Sequence, residues 1–478
     1  MDTLMTLPKH ILVLVCLLSG CIACSTLDQS VSSSNLVDPK GNQIIDETSL
    51  ASNLASLTYA QLMKMSGRFT GTPISISNNP EDVTGYGVLF STHPLPHNES
   101  RNPQVDAPLP NPLWSNESQA LLNPTEHCPT GTVRDAYLYL AHILSSDHLS
   151  GKRNLSVVAL AKQNTQIEWD GILTTSSWSD WRGFKTTREN WIGAQVAEEH
   201  LKLNEIILSS KQSKTTHIQE NTWVILEHIK ADSLVEGTLR VEADQCFTLQ
   251  VIAHDDPLTE LPQHYAKGDV KWPGWYQGGG YGRAAGIYEG NQWFGGGRYG
   301  LTQSTGAFGW ALFDADQSPS YLMRHGDSAS LLFGGYGVIY ETQVELTNQT
   351  SECVSTQFSF TSYAKLATRS GVAALNDHRT PSVDDLEKTD PSKRPTMIWN
   401  GPIYTEYQMR NQSWVDQKKQ VILTPTAQKK TGVAEGWHEP LFRWDLKPGE
   451  TRQSRFFIPV PGYIVAPAAL TVETTPCL

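Results

Sequence analysis

The stretch TLRVEADQCFTLQVIAH, residues 238–254, contains two short runs rich in β-branched and other apolar side chains. Leu239, Val241 and Ala243 alternate with polar residues in the first run, which is the pattern of a strand with one buried face. The second run continues the alternation through Phe247 and Leu249. Because Ala243-Asp244-Gln245 separates the runs, the pattern predicts a β-hairpin that turns at these residues.

Similar short runs occur on both sides of this stretch, at 85–92, 155–162, 223–229, 336–348, 354–366, 401–409, 418–426 and 451–460. Strands and helices do not alternate regularly along the chain, which favours antiparallel sheets over a parallel one. We therefore predict a mainly β protein of two antiparallel β-sandwich domains, immunoglobulin-like or jelly-roll-like, with few short helices.

Two segments have helical spacing. In RENWIGAQVAEEHLKL, residues 188–203, Ile192, Val196 and Leu201 share one face. Leu50, Leu54 and further apolar residues predict a second, short helix from about 50 to 64. We interpret the segment at about 50 to 64 as a packing element.

The N-terminus has the form of an export signal. A lysine precedes the short apolar run ILVLVCLL, and Leu18-Ser-Gly-Cys21 follows it. About 20 apolar residues are needed to span a bilayer, and this run is shorter. The motif resembles the bacterial lipobox, so residues 1–20 are predicted to be a lipoprotein signal peptide and Cys21 the lipidated residue. An ordinary cleaved signal is the alternative.

Composition excludes one class of partner. The 49 acidic residues outnumber the 37 Lys and Arg, and the formal net charge is −12. A chain with this charge repels a phosphate backbone, so no nucleic-acid partner is expected. The 36 Gly and 27 Pro suit a turn-rich β protein.

Changes in composition along the chain predict its domains. A polar, Ser-rich stretch follows the signal, which is typical of a tether. We expect a tether with the short helix at 21–62, an N-terminal β-rich domain at 63–255, a Gly/Trp-rich connecting segment at 256–300, and a C-terminal β-sandwich domain at 301–478.

Four cysteines lie in the predicted domains: Cys128, Cys246, Cys353 and Cys477. Exported compartments permit disulfides, so we expect at least one among these four. Three connectivities are possible, and the sequence does not distinguish them.

Several segments occur in an order that resembles the domain of unknown function 3370 family, a group of exported proteins found mostly in cyanobacteria. They include MSGRFTGTP at 65–73, LPQHYAKGDV at 261–270 and LKPGETRQSRFFIPVPG at 446–462. The resemblance covers roughly residues 63–475; the region near 272–300 and the polar loop 377–394 depart from it. It implies an exported, β-rich protein, and it implies no catalytic residues because the family has no established activity.

An aromatic cluster in the Gly-rich segment is the feature that points to a ligand. Flat aromatic rings stack on sugar rings, but they also pack loops onto a core. The packing interpretation is favoured, and the stacking interpretation is kept as a hypothesis. The candidate stacking residues are Trp272, Trp275, Tyr276, Tyr281, Trp293 and Tyr299.

Partial matches to known catalytic and metal-binding motifs occur, but the surrounding sequence lacks the elements that these motifs require. The run GGGRYG at 295–300 matches a dinucleotide fingerprint but lacks the strand and helix that this chemistry needs. Asp314 begins a calcium-loop-like pattern, but Pro319 stands where glycine is required. No metal site and no cofactor are therefore predicted, and the catalytic residues are unknown.

These observations together predict a lipid-anchored cell-envelope protein that is a non-enzymatic binding or structural component. We expect it at the outer membrane, on the periplasmic face or at the cell surface, held to the membrane by its lipid. Envelope polysaccharide or other envelope proteins are the expected partners. The alternative is an exported glycan-acting hydrolase whose two carboxylates come from separate loops, because such a pair leaves no sequence motif.

Overall fold

The computed structural model describes residues 42–45, 50–58, 61–83, 86–92, 128, 132–144, 153–177, 192–208, 213–255, 284–313, 317–324, 336–362, 399–409, 413–423, 437–460 and 468–477. Strands contain 68% of these residues, and one α-helix lies among them. The prediction of a mainly β protein is therefore confirmed. No helix in the described ranges has the length and apolar character needed to cross a membrane.

The described strands form three sheets of ten, seven and four strands. They are β1 (Gln43–Ile45), β2 (Gly67–Thr70), β3 (Ile74–Asp82), β4 (Gly87–Ser91), β5 (Val133–Ile143), β6 (Asn154–Ala161), β7 (Thr165–Ser176), β8 (Lys214–Ile218), β9 (Thr222–Lys230), β10 (Leu234–His254), β11 (Ala284–Tyr288), β12 (Gln292–Leu301), β13 (Gly306–Leu312), β14 (Tyr321–Arg324), β15 (Ile339–Asn348), β16 (Val354–Ser362), β17 (Trp399–Gln408), β18 (Trp414–Leu423), β19 (Trp437–Leu446), β20 (Thr451–Pro459) and β21 (Ala468–Pro476).

The predicted hairpin within 238–254 is wrong, because these residues belong to the single 21-residue strand β10. The first half of β10 pairs with β5 and β7, and the second half pairs with β6 and β4. Ala243-Asp244-Gln245 lies in a bulge, where the register on β5 shifts between Glu242 and Phe247. The three residues include no glycine or asparagine to supply the positive φ of a tight hairpin turn, so the strand bends and continues.

The bend of β10 folds the ten-stranded sheet around its own core. Leu239 and Val241 before the bend, and Leu249 and Val251 after it, are all fully buried in one apolar cluster. At the bend, the Arg134 guanidinium donates to the carbonyl of Asp244, and the carboxylate of Asp244 accepts the backbone N–H of Gln166 at 2.8 Å. A strand that changes partners at a bulge in this way makes the corner between two packed layers.

The seven-stranded and four-stranded sheets face each other across a second core. The strands of the seven-stranded sheet have the order β1-β12-β15-β20-β17-β18, with β2 beside β12. The strands of the four-stranded sheet have the order β13-β21-β16-β19. Phe358 and Trp444 from the smaller sheet meet Tyr340 and Phe456 from the larger one in this core. Alternation along each strand drives this packing, since every second residue points to the same side. The arrangement is sandwich-like.

Three strand pairs correct the expectation of wholly antiparallel sheets. The pairs β1–β12, β12–β15 and β3–β5 are parallel, whereas the other pairs between named strands are antiparallel. A parallel pair requires a long crossover between its strands. The chain has room for one between β12 and β15, because β13 and β14 lie between them in sequence.

The sheets do not follow the predicted boundaries 63–255, 256–300 and 301–478. The segment predicted as a connection contributes β11 to the ten-stranded sheet and β12 to the seven-stranded sheet. β14 comes from the predicted C-terminal domain but pairs with β11, and β2 comes from the predicted N-terminal domain but pairs with β12. Sequence composition did not show these exchanges, because pairing partners are set by long-range contacts.

Part of the predicted tether, 21–62, is packed against the body. Ile45 and Leu57 are fully buried, and β1 pairs with β12. The helix predicted over 50–64 is reduced to a 3-10 turn at Leu54–Ser56. Asn53 caps this turn by accepting the backbone N–H of Ser56 at 3.0 Å, and such local side-chain bonds compete with a longer helix.

The helix predicted within residues 188–203 is confirmed by α1 (Ile192–Leu203). Ile192, Val196 and Leu201 are buried as expected, and Lys202 lies 3.8 Å from Glu198 on the polar side. The helix packs on β7 and β10 with one side and on β17 and β20 with another, so it joins the ten-stranded sheet to the seven-stranded one.

Asn204, just after α1, ties the two regions together with hydrogen bonds. Its amide nitrogen donates to the Tyr137 hydroxyl on β5 at 2.8 Å. Its oxygen accepts from the side-chain amides of Asn291 at 2.8 Å and of Gln292 at 3.0 Å, at the start of β12. These bonds fix the orientation of α1 and hence the part of the seven-stranded sheet that the helix covers.

Candidate functional site

Of the six aromatic residues predicted to stack on a ligand, the two that the structure describes are buried. Trp272, Trp275, Tyr276 and Tyr281 lie outside the described residues. Trp293 and Tyr299 are 1% and 3% exposed, and their rings pack on Tyr340 and Trp310 at centroid distances of 5.4 and 4.7 Å. Rings this deeply buried offer no face to a sugar, which corrects the stacking hypothesis for these two residues and fits the packing interpretation.

Two glycines make room for the Trp293 ring. A Cβ atom at Gly67 on β2, or at Gly295 on β12 itself, would overlap the ring of Trp293. The glycines near this tryptophan therefore serve close packing in the core. This explains why an aromatic- and glycine-rich sequence forms an internal strand here.

The four cysteines of the body form two disulfides. Cys128 pairs with Cys246 beside the bend of β10, and Cys353 pairs with Cys477 at the ends of β16 and β21. The structure thus contains one of the three connectivities that the sequence left open. Cys21, the predicted lipidation site, lies outside the described residues.

The outer side of the seven-stranded sheet carries an ordered array of polar side chains. Strand register places the outward residues, most of them polar, in two rows across β12, β15, β20, β17 and β18, and we call these two rows the open face. Five strands at a spacing of about 4.8 Å make the face about 19 Å wide. The first row contains Gly296, Gln343, Arg455, Glu406 and Asp416, and the second contains Arg298, Glu345, Gln453, Gln408 and Trp414.

Ion pairs hold the centre of the open face. Arg455 donates to Glu341 at 2.6 Å and to Glu406 at 3.0 Å, on the strands to either side. Burial lowers the pKa of Arg455, but the hydrogen bonds and charges of Glu341 and Glu406 outweigh it, and the net shift is upward. Gln453 donates to Glu345 at 2.7 Å, and Arg298 lies 3.5 Å from the same carboxylate. The polar groups are therefore positioned before any ligand arrives.

Helix α1 limits the open face on one side. Leu201 of the helix packs with Ile339 on β15 and Phe457 on β20, next to the first row. Lys418 on β18 lies 3.0 Å from Glu198 of the helix. Beyond the helix, Trp414 at the end of the second row is 45% exposed, and Phe294, which borders the first row, is 36% exposed.

Sequence reasoning missed the open face, although a local signal was present. Along β15 the burial alternates, with Glu341, Gln343 and Glu345 on the outer side and Thr342 and Val344 inside. Alternation identifies an outward side but not its neighbours. The rows form only when strands distant in sequence, such as β15 and β18, enter one sheet.

A charged cleft of about 60 Å³ lies between α1, β7 and β10. Its charged lining residues are Glu168, Asp170, Glu199 and Glu242 together with Lys202 and Arg240. Trp169 also lines it, but this residue is 8% exposed and its indole donates to Glu227 at 3.0 Å.

The carboxyl groups around this cleft have different environments. Register places Asp135, Glu242 and Glu168 beside one another on β5, β10 and β7. Burial raises the pKa of Asp135, Arg240 at 3.9 Å lowers it, and Glu242 raises it, with a net upward shift. An upward pKa shift favours the protonated form, which is the form in which a carboxyl donates a proton. Asp135 neighbours the lining residue Glu242 but does not itself line the cleft.

A serine and two histidines meet on the other part of the ten-stranded sheet. The Ser156 hydroxyl lies 3.0 Å from Nε2 of His254 and 2.9 Å from Nδ1 of His228. A serine next to an imidazole is the pairing used by nucleophilic enzymes. Here Ser156 and His254 are both fully buried, so the hydroxyl has no path to a substrate in this conformation. Within the described ranges, no group of three or more His, Cys, Asp or Glu residues is placed to hold a metal ion.

Comparisons with known proteins give no family. No family model matches the chain, and no curated protein matches its sequence. Among solved structures, a T=1 nodavirus of Penaeus vannamei gives 7% identity over 68% of this chain and 83% of that chain, with a TM-score of 0.13. The tandem CBM22-1-CBM22-2 domains of Xyn10C from Paenibacillus barcinonensis give 7% identity over 70% and 82%, with a TM-score of 0.12. Similarities this low carry no argument about fold or function.

Proposed function

We propose that this protein is an exported, lipid-anchored component of the cell envelope that binds a partner through the open face. The observation that carries the binding role is the pre-positioned polar array around Arg455, on a rigid five-strand platform. Binding groups held by a sheet need little ordering when a ligand arrives, which favours recognition.

The anchoring part of the proposal is supported by the sequence Leu18-Ser-Gly-Cys21. In this proposal Cys21 carries the lipid, residues 1–20 are removed, and the segment up to residue 41 separates the lipid from β1. The chain then sits at the outer membrane, on the periplasmic face or at the cell surface. Two disulfides suit such an oxidising location.

We further propose that the described strands form two sandwich units of immunoglobulin-like or jelly-roll-like architecture. Two separate apolar cores support this finer description, one inside the bent ten-stranded sheet and one between the other two sheets. The resemblance to the domain of unknown function 3370 family stays a prediction, since no family model matches.

A glycan-acting hydrolase is the second candidate, and the charged cleft favours it. Asp135, with its raised pKa, would be the proton donor, and Glu242 the carboxylate beside it. The buried ring of Trp169 offers the cleft no stacking platform for a sugar. Release of reducing sugar by the wild-type protein, lost in Asp135→Asn, would replace the binding proposal with this one.

Membrane fractionation of Cys21→Ser tests the anchor. The variant is expected to leave the membrane fraction or to remain an unprocessed precursor, because it lacks the thiol that accepts the lipid. Cys24→Ser is the matched control, since it changes a cysteine three residues away, and it should fractionate like the wild type. Unchanged processing and membrane association of Cys21→Ser would refute the anchor.

A further inference from the structure

We infer that the partner of the open face is a neutral polysaccharide, held by hydrogen bonds at the centre of the face and by aromatic stacking at its border. This inference rests on the proposed binding role and adds the chemical class of the ligand. Its experiment uses glycan binding, which is measured separately from membrane association.

The centre of the open face offers mixed, planar hydrogen-bonding groups. Arg455 is a donor, Glu406 and Glu345 are acceptors, and the side-chain amides of Gln343 and Gln453 can provide both. A sugar hydroxyl is itself both donor and acceptor, so a row that alternates these groups can bind neighbouring hydroxyls. The ion pairs of Arg455 and the bond from Gln453 to Glu345 keep the groups in fixed positions.

The border of the open face supplies apolar surfaces. Trp414 ends the second row and is 45% exposed. A tryptophan side chain has a large apolar surface, so this residue leaves much of that surface in contact with solvent. Phe294 borders the first row from the opposite edge of the five strands and is 36% exposed. The C–H faces of a sugar ring pack on such rings, and the two rings mark the ends of a path across the strands.

Charge and polarity distinguish this ligand from other classes. Three carboxylates and two guanidinium groups lie on the face, and Glu341 at its border adds a fourth carboxylate. This balance repels acidic polysaccharides and nucleic acids. A protein partner is disfavoured because the centre of a protein interface is depleted of charge, whereas charge is concentrated at the centre here.

Affinity electrophoresis of the purified full chain provides the test, in gels that contain dextran, mannan or mixed-linkage β-glucan, and in a gel with acidic alginate. The wild type should be retarded by at least one neutral polysaccharide and not by alginate. Trp414→Ala should weaken this binding on the order of fivefold, the effect of losing one stacked ring. Gln453→Ala should also weaken it, and it provides a second variant if Trp414→Ala misfolds.

Leu208→Ala is the control, because Leu208 is 104% exposed and lies outside the open face. It should bind like the wild type. Retardation only by alginate, or retardation that neither Trp414→Ala nor Gln453→Ala changes, would overturn the inference. So would the absence of glycan binding combined with cross-linking of the face to an envelope protein. If no gel retards a protein that still fractionates with membranes, the glycan inference fails and the anchor proposal stands.

Discussion

The sheet surface beneath α1 and the open face both carry polar side chains, but the two surfaces differ in how deeply these side chains are buried. Beneath the helix, Thr238 lies 3.1 Å from Nδ1 of His200, and burial lowers the pKa of His200 to about 3. On the open face, Arg455 is 38% exposed and keeps its charge between two carboxylates. Burial beneath the helix thus favours the neutral form of His200, whereas Arg455, which is partly exposed, remains charged.

Loss of the helix contact should give the largest effect on stability. Leu201→Ala removes a fully buried side chain that α1 places against Ile339 and Phe457. A cost of about 2–5 kcal/mol in unfolding free energy is expected for such a cavity. Urea denaturation measures it. Glu198→Ala, a change on the exposed side of the same helix, should cost less than about 1 kcal/mol.

Acid should weaken the region beneath α1. Burial lowers the folded-state pKa of His200 to about 3, from the usual value of about 6.5 for histidine. Its contribution to stability is therefore present above about pH 6.5 and is lost as the pH falls toward 3, because the unfolded chain binds the proton more readily. Melting temperatures measured from pH 7 to pH 3.5 should fall more steeply for the wild type than for His200→Gln. Equal slopes would show that His200 does not titrate on unfolding.

A substitution on the open face should change the unfolding free energy less than the loss of the helix contact does. Arg455→Gln leaves Glu341 and Glu406 without their shared cation, but the group is partly exposed and the expected cost is up to about 1 kcal/mol. Because salt screens exposed charges, this cost should shrink in 1 M NaCl. Urea denaturation at low and high salt checks it. A loss as large as that of Leu201→Ala would mean that the network is a structural element.

The sequence predicted those features of the fold that depend on the spacing of apolar residues within one segment. The β-rich class and helix α1 followed from alternation and helical spacing. The bend of β10 at Asp244 was missed because an interruption of the alternation fits a turn as well as a bulge. At this position only the lack of glycine and asparagine favours the bulge. The burial of Trp293 and the rows of the open face depend on which distant strands pair, and a single sequence does not contain that information.

Position within the fold, rather than aromatic content, decides which rings are structural, and two matched substitutions test this claim directly. Trp293→Ala should lower the unfolding free energy by about 3–5 kcal/mol, since its ring is 1% exposed. Trp414→Ala should leave the unfolding free energy within about 0.5 kcal/mol, since its ring is at the surface. Denaturant unfolding of both variants beside the wild type is the measurement. Equal destabilisation by the two changes, or a stable Trp293→Ala protein, would contradict the account.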